Sequence, residues 1–253
     1  MKKALTIAGF DPSGGAGIQA DLKVFHALDV YGLSAVAALT AQSTRGVKHV
    51  HAVSRQFLKK QLDVLLADLI PDATKMGMLL TEENVRVVAQ TIRNYALKNV
   101  VLDPVMISSS GKRLASRDIP ALLKIKILPL CSVITPNIHE ASVLSGITIK
   151  TGEDREKAAA LLREAGPETV IITGGHLNGI ALDVVYDGSF HYLKARKRQG
   201  EFHGTGCVFS AAITAFLAQG YCALDASGEA KAFMAKAFQK TFSATGKLKL
   251  FAL

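Results

Sequence analysis

The feature that most constrains the fold is a repeated alternation of short apolar runs with longer segments of helical periodicity. Residues 3–10, KALTIAGF, predict a strand. Residues 16–30 follow as a helix, with Ile18, Leu22 and Phe25 on one face. Repetition of this βα unit is typical of an α/β protein with a mostly parallel sheet and helices on both faces.

The remaining predicted strands and helices continue to alternate along the chain. Strands are predicted at residues 33–42, 72–79, 99–106, 131–137 and 169–175, and a hairpin of residues 182–188 and 189–195 turns at Asp187-Gly188. Helices are predicted at residues 55–69, 81–96, 117–128, 138–146 and 153–166, after the glycine turn at 204–206, and at 225–244. No repeat, low-complexity segment or linker interrupts them, so we expect one domain, residues 1–253.

Cysteine usage and hydropathy exclude several classes of protein. Cys131, Cys207 and Cys222 are widely spaced and form no Cys-x-x-Cys pair, which argues against a disulfide scaffold or zinc site and favours a reducing cytoplasm. No apolar run is long enough to span a bilayer, so no membrane partner is expected. The apolar N-terminal run stops at Asp11 without a small-residue cleavage site, which favours a strand over a signal peptide.

The net charge of +9 does not by itself predict nucleic-acid binding. The basic residues are scattered, and the one cluster, residues 194–199, has no interleaved aromatic side chain. A solvated loop is therefore the better interpretation of that cluster. The positive field could also attract anionic substrates.

Polar and glycine-rich segments follow the predicted strands. In open parallel sheets, ligands bind beyond the carboxyl ends of the strands, so these segments predict the rim of one cleft. They read GFDPSGGAG, TAQSTRG, KMGML, DPVMISSSG, TPNIHE, TGGH and FHGTGC.

Two of these segments combine glycines with a helix start. The sequence DPSGGAG, residues 11–17, meets neither the Rossmann nor the P-loop fingerprint, so a tight turn and a ligand-binding loop stay equally open. Gly204-Thr205-Gly206 would present unpaired N–H groups and the positive end of a helix dipole, which suits a transferring phosphoryl group. The same field would lower the pKa of the Cys207 thiol, making it a base or nucleophile; the alternative is a small packing residue.

Carboxylates and amides at two strand ends suggest a cation site. Asp103, Asn137 and Glu140 could hold a hydrated Mg²⁺, which takes only one or two carboxylates and keeps several waters. The alternative is helix capping, with Asn137 as N-cap and Glu140 at the third helical position. The spacing of His49 and His51 does not indicate a metal site, and the roles of His176 and His203 stay open.

Taken together, the motifs resemble one family. Residues 5–25, KMGML, LDPVMISSSG, ITPNIHEASVL, TGGHL and HGTGC occur in the order seen in hydroxymethylpyrimidine/phosphomethylpyrimidine kinases of thiamine biosynthesis. The resemblance covers nearly the whole chain. It implies a ribokinase-like three-layer α/β/α sandwich. It also implies phosphorylation of 4-amino-5-hydroxymethyl-2-methylpyrimidine by ATP with Mg²⁺, and then of the monophosphate.

The resemblance also assigns expected roles to residues of this chain. The glycine turn would form the anion hole, and Cys207 would accept the hydroxyl proton. The expected substrate contacts are Gly9, Asp21, Gln42, Met78 and Val105. The expected nucleotide and phosphate contacts are Asp103, Asn137, Glu140, Thr173 and Gly175, with Asp103 and Glu140 holding Mg²⁺ through water.

Four departures from the family pattern are visible. Phe10 stands where a small polar residue is usual, and Thr173 replaces a lysine expected near the nucleotide phosphates. Ser142 stands where a second glutamate is common, and the C-terminal residues 243–253 differ from the usual tail. None of these changes removes the expected base or anion hole.

Three hypotheses on function follow. The first is a pyrimidine kinase, and the second is a pyridoxal, pyridoxine or pyridoxamine kinase on the same scaffold; Gln42 and Met78 favour the first. The third is a non-catalytic sensor of the pyrimidine, motivated by Thr173 and opposed by Cys207. The resemblance also implies a homodimer, to which the apolar residues 33–42 could contribute.

Overall fold

The structure is a computed structural model that describes residues 1–107, 118–174, 180–196, 198–243 and 248–253. Its strands are β1 (Lys3–Phe10), β2 (Tyr31–Ser43), β3 (Gly46–Ala52), β4 (Ala73–Met76), β5 (Val100–Leu102), β6 (Val133–Ile134), β7 (Thr169–Ile172), β8 (Ile180–Tyr186), β9 (Phe190–Arg196), β10 (Glu201–Phe202), β11 (Thr241–Ser243) and β12 (Leu248–Phe251). Its α-helices are α1 (Gly17–Ala27), α2 (Arg55–Leu66), α3 (Glu82–Asn94), α4 (Ile119–Lys126), α5 (Ile138–Ser145), α6 (Gly152–Glu164), α7 (Thr205–Gln219) and α8 (Ala223–Ala237).

A large sheet organises the molecule, with strand order β3-β2-β1-β4-β5-β6-β7-β8-β9. The neighbours from β2 to β7 run parallel, whereas β3, β8 and β9 are antiparallel to their neighbours. The carboxyl ends of the parallel strands therefore lie along one edge. The predicted mostly parallel sheet is confirmed.

Alternate residues of the central strands enter two apolar cores on opposite faces of the sheet. Leu102 and Ile134 pack with α2 to α6 on one face, whereas Val101 and Val133 pack with α1, α7 and α8 on the other. Helices thus cover both faces, which gives the predicted three layers. Because α1 and α3 lie on opposite faces, the carboxyl ends of β1 and β4 form a topological switch point, the place where open sheets of this kind bind ligands in a crevice.

Local signals in the sequence determine where several helices start. The Thr81 hydroxyl caps α3 by accepting a hydrogen bond from the backbone N–H of Asn84, and Pro120 lies in the first turn of α4. Asn137 and Glu140 form a reciprocal capping box at the start of α5. The capping interpretation of these two residues is therefore confirmed.

The prediction for the C-terminal segment is wrong. The expected helix at 225–244 ends at Ala237, and Thr241–Ser243 instead forms β11, which pairs with β12. A second small sheet of order β10-β12-β11 results, with Phe202, Phe238 and Phe251 packed together beneath it. The apolar spacing at 238–242 suits either period, so tertiary packing decided the outcome.

In the part of the chain that the structure describes, no helix combines the length and apolar character needed to cross a bilayer.

Candidate active site

Two glycine segments meet at the crevice. Gly204 precedes α7 with φ of 80°, and a Cβ there would lie 1.8 Å from the Gly15 carbonyl oxygen. Only glycine allows that approach, because any side chain would both strain the backbone and collide with it. The loop of residues 11–17 and the turn of residues 203–207 therefore form one packed unit.

The start of α7 faces the crevice. Gly206 is exposed and Thr205 is half-buried, whereas the rest of α7 from Val208 is buried. A Cβ on Gly206 would lie 3.8 Å from both carboxylate oxygens of Asp103. The N–H groups of the first helical turn, which lack partners within the helix, therefore open beside Asp103.

Cys207 lies in this first turn, between charged groups. The Asp103 carboxylate, the Gly17 N–H and the Lys75 ammonium lie close enough to its thiol to act on the pKa of that thiol. Burial raises the pKa of Cys207 to about 12, the Lys75 charge lowers it in part, and Asp103 and Asp21 raise it further. The predicted lowering of this pKa is wrong for the site without ligands, because burial and two carboxylates outweigh the helix dipole.

A buried lysine lies beneath Cys207. Lys75 in β4 is fully buried; its ammonium pairs with Asp21 and lies 3.9 Å from Asp103 Oδ2. Burial alone favours the neutral amine, but the charges of Asp21 and Asp103 raise the pKa of Lys75. A permanent positive charge therefore lies below the crevice.

Asp21, an expected substrate contact, lies in this buried layer. Its Oδ2 accepts from the Thr6 hydroxyl at 2.6 Å, and its Oδ1 binds Lys75. Burial raises the pKa of Asp21, against the charge of Lys75. Each carboxylate oxygen keeps a second lone pair, and contact with substrate stays a prediction.

Asp103 and Glu140 bring two buried carboxylates together. Asp103 Oδ2 accepts from the Ser210 hydroxyl at 3.0 Å, and Glu140 Oε2 accepts from the Asn137 N–H at 2.9 Å. Burial and the Asp103 charge raise the pKa of Glu140 to about 8. Two carboxylates that repel each other in a buried site fit a divalent cation, which would neutralise both.

We expect Glu140→Gln to stabilise the metal-free protein at alkaline pH. With a pKa near 8 when folded and near 4.5 when unfolded, the wild type loses stability as pH rises between these values, since its folded state binds more protons. Glutamine cannot ionise and still accepts from the Asn137 N–H. The gain at pH 8.5 should exceed about 1 kcal/mol, because one pKa unit corresponds to about 1.4 kcal/mol.

Urea unfolding in EDTA at pH 5 and pH 8.5 measures this gain. Glu83→Gln, at an exposed position in the first turn of α3, is the matched control and should show no pH-dependent gain. A Glu140→Gln variant that is equally destabilised at both pH values would contradict the prediction.

The expected apolar walls come together on the other side of the crevice. Met78 packs with Ala38 in a small apolar cluster that is separate from the two large cores. Four partly buried side chains pack against this pair: Val47, Val50, Leu80 and Val105. Gly9 lies against the Met78 side chain, since a Cβ on Gly9 would lie 2.4 Å from Met78 Cε. The structure thus brings the predicted Gly9, Met78 and Val105 together.

Gln42 lies beside this apolar cluster at the end of β2, opposite Val47 of β3. Its amide end lies 3.0 Å from His203 Nε2, and that nitrogen lies 2.8 Å from Asp11 Oδ2. Asp11 also accepts from the Ser13 and Ala16 N–H groups. His203, whose role the sequence left open, therefore joins the glycine loop, the α7 turn and Gln42.

Of the residues expected to contact the nucleotide, the structure describes Thr173 but not Gly175. Thr173 pairs with Asn137 in an isolated bridge and donates its N–H to the Pro136 carbonyl at 3.0 Å. Gly175 and His176 lie outside the described residues. Next to Thr173, the Gly174 N–H donates to Asp183 Oδ1.

Two contacts describe the surroundings of Thr173 and Ser142. Lys231 of α8 pairs with Asp183, so a lysine lies near Gly174, but its charge is neutralised. The Ser142 hydroxyl accepts from the Ile149 N–H at 3.3 Å and holds the chain after α5. Neither contact involves the start of α7.

Sequence reasoning missed Lys75, Ser210 and the Asp11–His203 pair. A lysine inside the apolar run 73–76 was a usable signal, because buried lysines are rare without a partner. Ser210 and Asp11 gave no comparable signal, since their partners are 107 and 192 residues away in sequence.

The sheet is mostly parallel, helices cover both of its faces, and the candidate site lies at the carboxyl ends of its strands. Similar solved structures have the same fold, and they are ribokinase-like kinases. The fold and the site therefore define the protein as a ribokinase-like kinase. A family model described as phosphomethylpyrimidine kinase matches residues 11–250. The chain belongs to the phosphomethylpyrimidine kinase family.

Curated relatives agree with this assignment. The hydroxymethylpyrimidine/phosphomethylpyrimidine kinase of Bacillus subtilis is 43% identical, over 94% of this chain and 90% of the relative. The same enzyme of Staphylococcus aureus strain MSSA476 is 41% identical, over 95% of this chain and 89% of the relative. The chain also matches 46% of the Arabidopsis thaliana thiamine biosynthetic bifunctional enzyme, at 42% identity.

Solved structures of two activities are similar to the chain. An ADP complex of Bacillus subtilis pyridoxal kinase aligns with a TM-score of 0.92 and 38% identity, over 99% of this chain and 96% of that one. Phosphomethylpyrimidine kinase from Clostridium difficile aligns with a TM-score of 0.85 and 38% identity, over 94% of this chain and 100% of that one. The fold is therefore shared by pyrimidine and pyridoxal kinases.

Proposed function

We propose that the chain transfers the γ-phosphoryl group of ATP to 4-amino-5-hydroxymethyl-2-methylpyrimidine and then to its monophosphate, in thiamine biosynthesis. Membership of the phosphomethylpyrimidine kinase family carries this proposal. The packed glycine unit beside Asp103 and Cys207 supports it, because phosphoryl transfer depends mainly on positioning and charge stabilisation. ATP use is supported by ADP and AMP-PCP complexes of similar kinases.

Each group of residues has a role in this proposal. The apolar cluster around Met78 and Val105 holds the faces of the pyrimidine ring, and Gln42 and Asp21 bind its polar edge. The N–H groups of residues 204–206 bind the transferring phosphoryl group, and Cys207, after losing its own proton to solvent on substrate binding, accepts the hydroxyl proton as a thiolate. Lys75 beneath them balances the carboxylates.

Magnesium is part of the proposal. Asp103 and Glu140 would hold the ion through water, with Asn137 positioned by the capping box. A bound Mg²⁺ neutralises charge on the nucleotide phosphates. In the described residues no group of three histidine, cysteine, aspartate or glutamate side chains could hold a metal, which is compatible with an ion that keeps several waters.

We further propose a single domain over residues 1–253, a homodimer and a cytoplasmic location, with no nucleic-acid or membrane partner. The central sheet, which takes strands from Lys3 to Arg196, supports the single domain. Three free thiols fit a reducing compartment. Light scattering at micromolar concentration tests the dimer, and a monomer would contradict it.

Pyridoxal is the second candidate substrate, favoured by the TM-score of 0.91 to a Staphylococcus aureus pyridoxal kinase bound to AMP-PCP and pyridoxal. A coupled ATP-consumption assay with Mg²⁺ separates the candidates by comparing the pyrimidine, its monophosphate and pyridoxal. Turnover of both pyrimidines is the expected result. Turnover of pyridoxal alone would establish the second candidate, and binding of the pyrimidine without any turnover would favour a sensor.

A further inference from the structure

In the described part of the chain, no side chain caps the first turn of α7. The helices α2, α3, α5 and α6 each begin at a serine, threonine or asparagine that accepts a hydrogen bond from a first-turn N–H group. Gly204 has no side chain to do so, and the first N–H groups of α7 therefore stay available to a ligand. The position of this turn must then be fixed by its neighbours in the fold.

The strand β12 is paired with the residues that lead into the turn. Phe202 of β10 lies opposite Lys249 of β12 in a parallel register. His203, which follows Phe202, continues the pairing, since its N–H donates to the Lys249 carbonyl at 3.0 Å. β12 therefore holds the backbone of the residue that directly precedes Gly204.

β12 is itself anchored by its other neighbours. Its second edge pairs with β11 in an antiparallel register, with Leu250 opposite Phe242. The Phe251 ring is buried, and its centroid lies 6.0 Å from that of Phe202 and 5.3 Å from that of Phe238. A strand with both edges paired and one face packed is a rigid support for the turn.

The Leu250 side chain reaches the glycine loop. A Cβ on Gly15 would lie 2.6 Å from Leu250 Cδ2 and 2.4 Å from His203 Cδ2, so both side chains lie directly against Gly15. The Gly15 carbonyl oxygen in turn lies against Gly204, where a Cβ would meet it at 1.8 Å. Leu250, Gly15 and Gly204 therefore form a continuous line of contact from β12 to the start of α7.

The His203 ring adds a second link between the loop and the turn. Its Nε2 lies 2.8 Å from Asp11 Oδ2, and the same oxygen accepts from the Ala16 N–H at 2.9 Å. His203 and Asp11 are both buried. His203 is therefore held at its backbone by β12 and at its ring by the glycine loop.

We propose that β12 positions the phosphoryl-binding turn: the Lys249 carbonyl holds the backbone of His203, and the Leu250 side chain holds Gly15 against Gly204. This inference rests on the proposed function, in which the N–H groups of the turn bind the transferring phosphoryl group. Such donors accelerate the reaction only when they are fixed where charge develops. Leu250 is a positioning residue, because it acts through Gly15.

Leu250→Ala is the first test, because it removes the methyl groups that lie against Gly15. With 4-amino-5-hydroxymethyl-2-methylpyrimidine and saturating ATP, kcat should fall by about tenfold or more, since small misplacements of catalytic groups have effects of this size. Among the described residues, the apolar cluster of Met78 includes none from β12, so calorimetric affinity for the pyrimidine should stay within about threefold. A kcat within about threefold of the wild type would overturn the inference.

Leu253→Ala is the matched control, since it makes the same substitution at a partly buried side chain that packs against the core of α1, α7 and α8. Its kcat should stay within about twofold of the wild type. Leu250→Met keeps an apolar side chain of similar volume and should restore kcat to within about threefold. An equal loss in Leu253→Ala, or no recovery in Leu250→Met, would attribute the effect to general loosening and overturn the inference.

A double-variant cycle tests whether Leu250 acts through Gly15. Gly15→Ala places a methyl group against Leu250 and His203 and should itself lower kcat. Leu250→Ala makes room for that methyl group, so kcat of the double variant should be at least about threefold higher than the two single losses predict when multiplied. Losses that simply multiply would show that the two positions act independently, against the inference.

Hydrogen exchange follows the positioning without relying on turnover. The His203 N–H is bonded to the Lys249 carbonyl, and the Val208 N–H to the Gly204 carbonyl at 2.9 Å. Both should exchange at least about tenfold faster in Leu250→Ala than in Leu253→Ala, whereas the amides of α3 should exchange equally in the two variants. Equal exchange of His203 and Val208 in both variants would contradict the proposal.

The outcomes separate this inference from the proposed function. A wild type that phosphorylates the pyrimidine, while Leu250→Ala keeps its kcat, overturns the positioning alone. A wild type that phosphorylates only pyridoxal overturns the proposed substrate alone, because the same comparison of kcat is then made with pyridoxal. A wild type that turns over neither overturns the kinase and with it the role of the turn in phosphoryl transfer, while hydrogen exchange still decides whether β12 holds the turn.

Discussion

Cys207→Ala is expected to lower kcat by about 10²–10⁴-fold while leaving pyrimidine affinity within about twofold, because a positioned proton acceptor contributes rates of that order. The half-buried side chain lies in the first turn of α7, near Asp103, and packs at the edge of the apolar core on that face of the sheet. Steady-state kinetics and calorimetry on the same preparation measure the two effects separately.

The raised pKa of Cys207 makes this result informative. The thiol is neutral in the site without ligands, since burial and the nearby carboxylates oppose ionisation. Proton transfer to Cys207 therefore requires that its surroundings become more positive when substrates bind. Neutralisation of Asp103 by a bound cation would act in that direction.

Cys222→Ala is the matched control, because it removes an exposed thiol from the start of the neighbouring helix α8. Its kcat should equal that of the wild type. Cys207→Ser adds a second comparison, since serine keeps a small polar side chain beside Asp103 but is much less acidic. A Cys207→Ala enzyme within threefold of the wild-type kcat would exclude Cys207 as the proton acceptor and leave the helix start as the main catalytic element.

The central sheet apart from β3 could be predicted because each of those strands has a local signal. Residues 3–10 form β1 with the predicted limits, and the turn at Asp187-Gly188 joins β8 to β9. The edge strand β3 was harder, because its alternating His49 and His51 lie on a mostly exposed surface. The C-terminal strands were missed since their pairing partners are brought together only by the tertiary fold.

The candidate site also contains residues that the sequence could predict and residues that it could not. Strand ends and glycine motifs identified the start of α7 and the segments that contain Gly9, Met78 and Val105, because a parallel sheet brings such segments to one edge. The family resemblance selected those three residues within the segments. The charge balance beneath them could not be predicted. It depends on Lys75, Asp21 and Asp103 meeting from three different elements, and the fold must be known before their distances are known.

Lys75→Met is expected to lower the free energy of unfolding by about 3–5 kcal/mol, because removing one partner of a buried ion pair leaves an uncompensated charge. Asp21 is fully buried and would keep only its bond from Thr6. Methionine fills a similar volume, so the loss reports charge rather than a cavity. Urea unfolding at pH 7 measures it.

Two further variants separate charge from other causes of this loss. Lys59→Met makes the same substitution at an exposed pair, with Asp63 one turn away on α2, and should cost at most about 0.5 kcal/mol. Lys75→Met with Asp21→Asn removes both charges and should recover part of the stability. If Lys75→Met cost no more than Lys59→Met, or if the double variant were less stable than the single one, the buried cation would not balance Asp21.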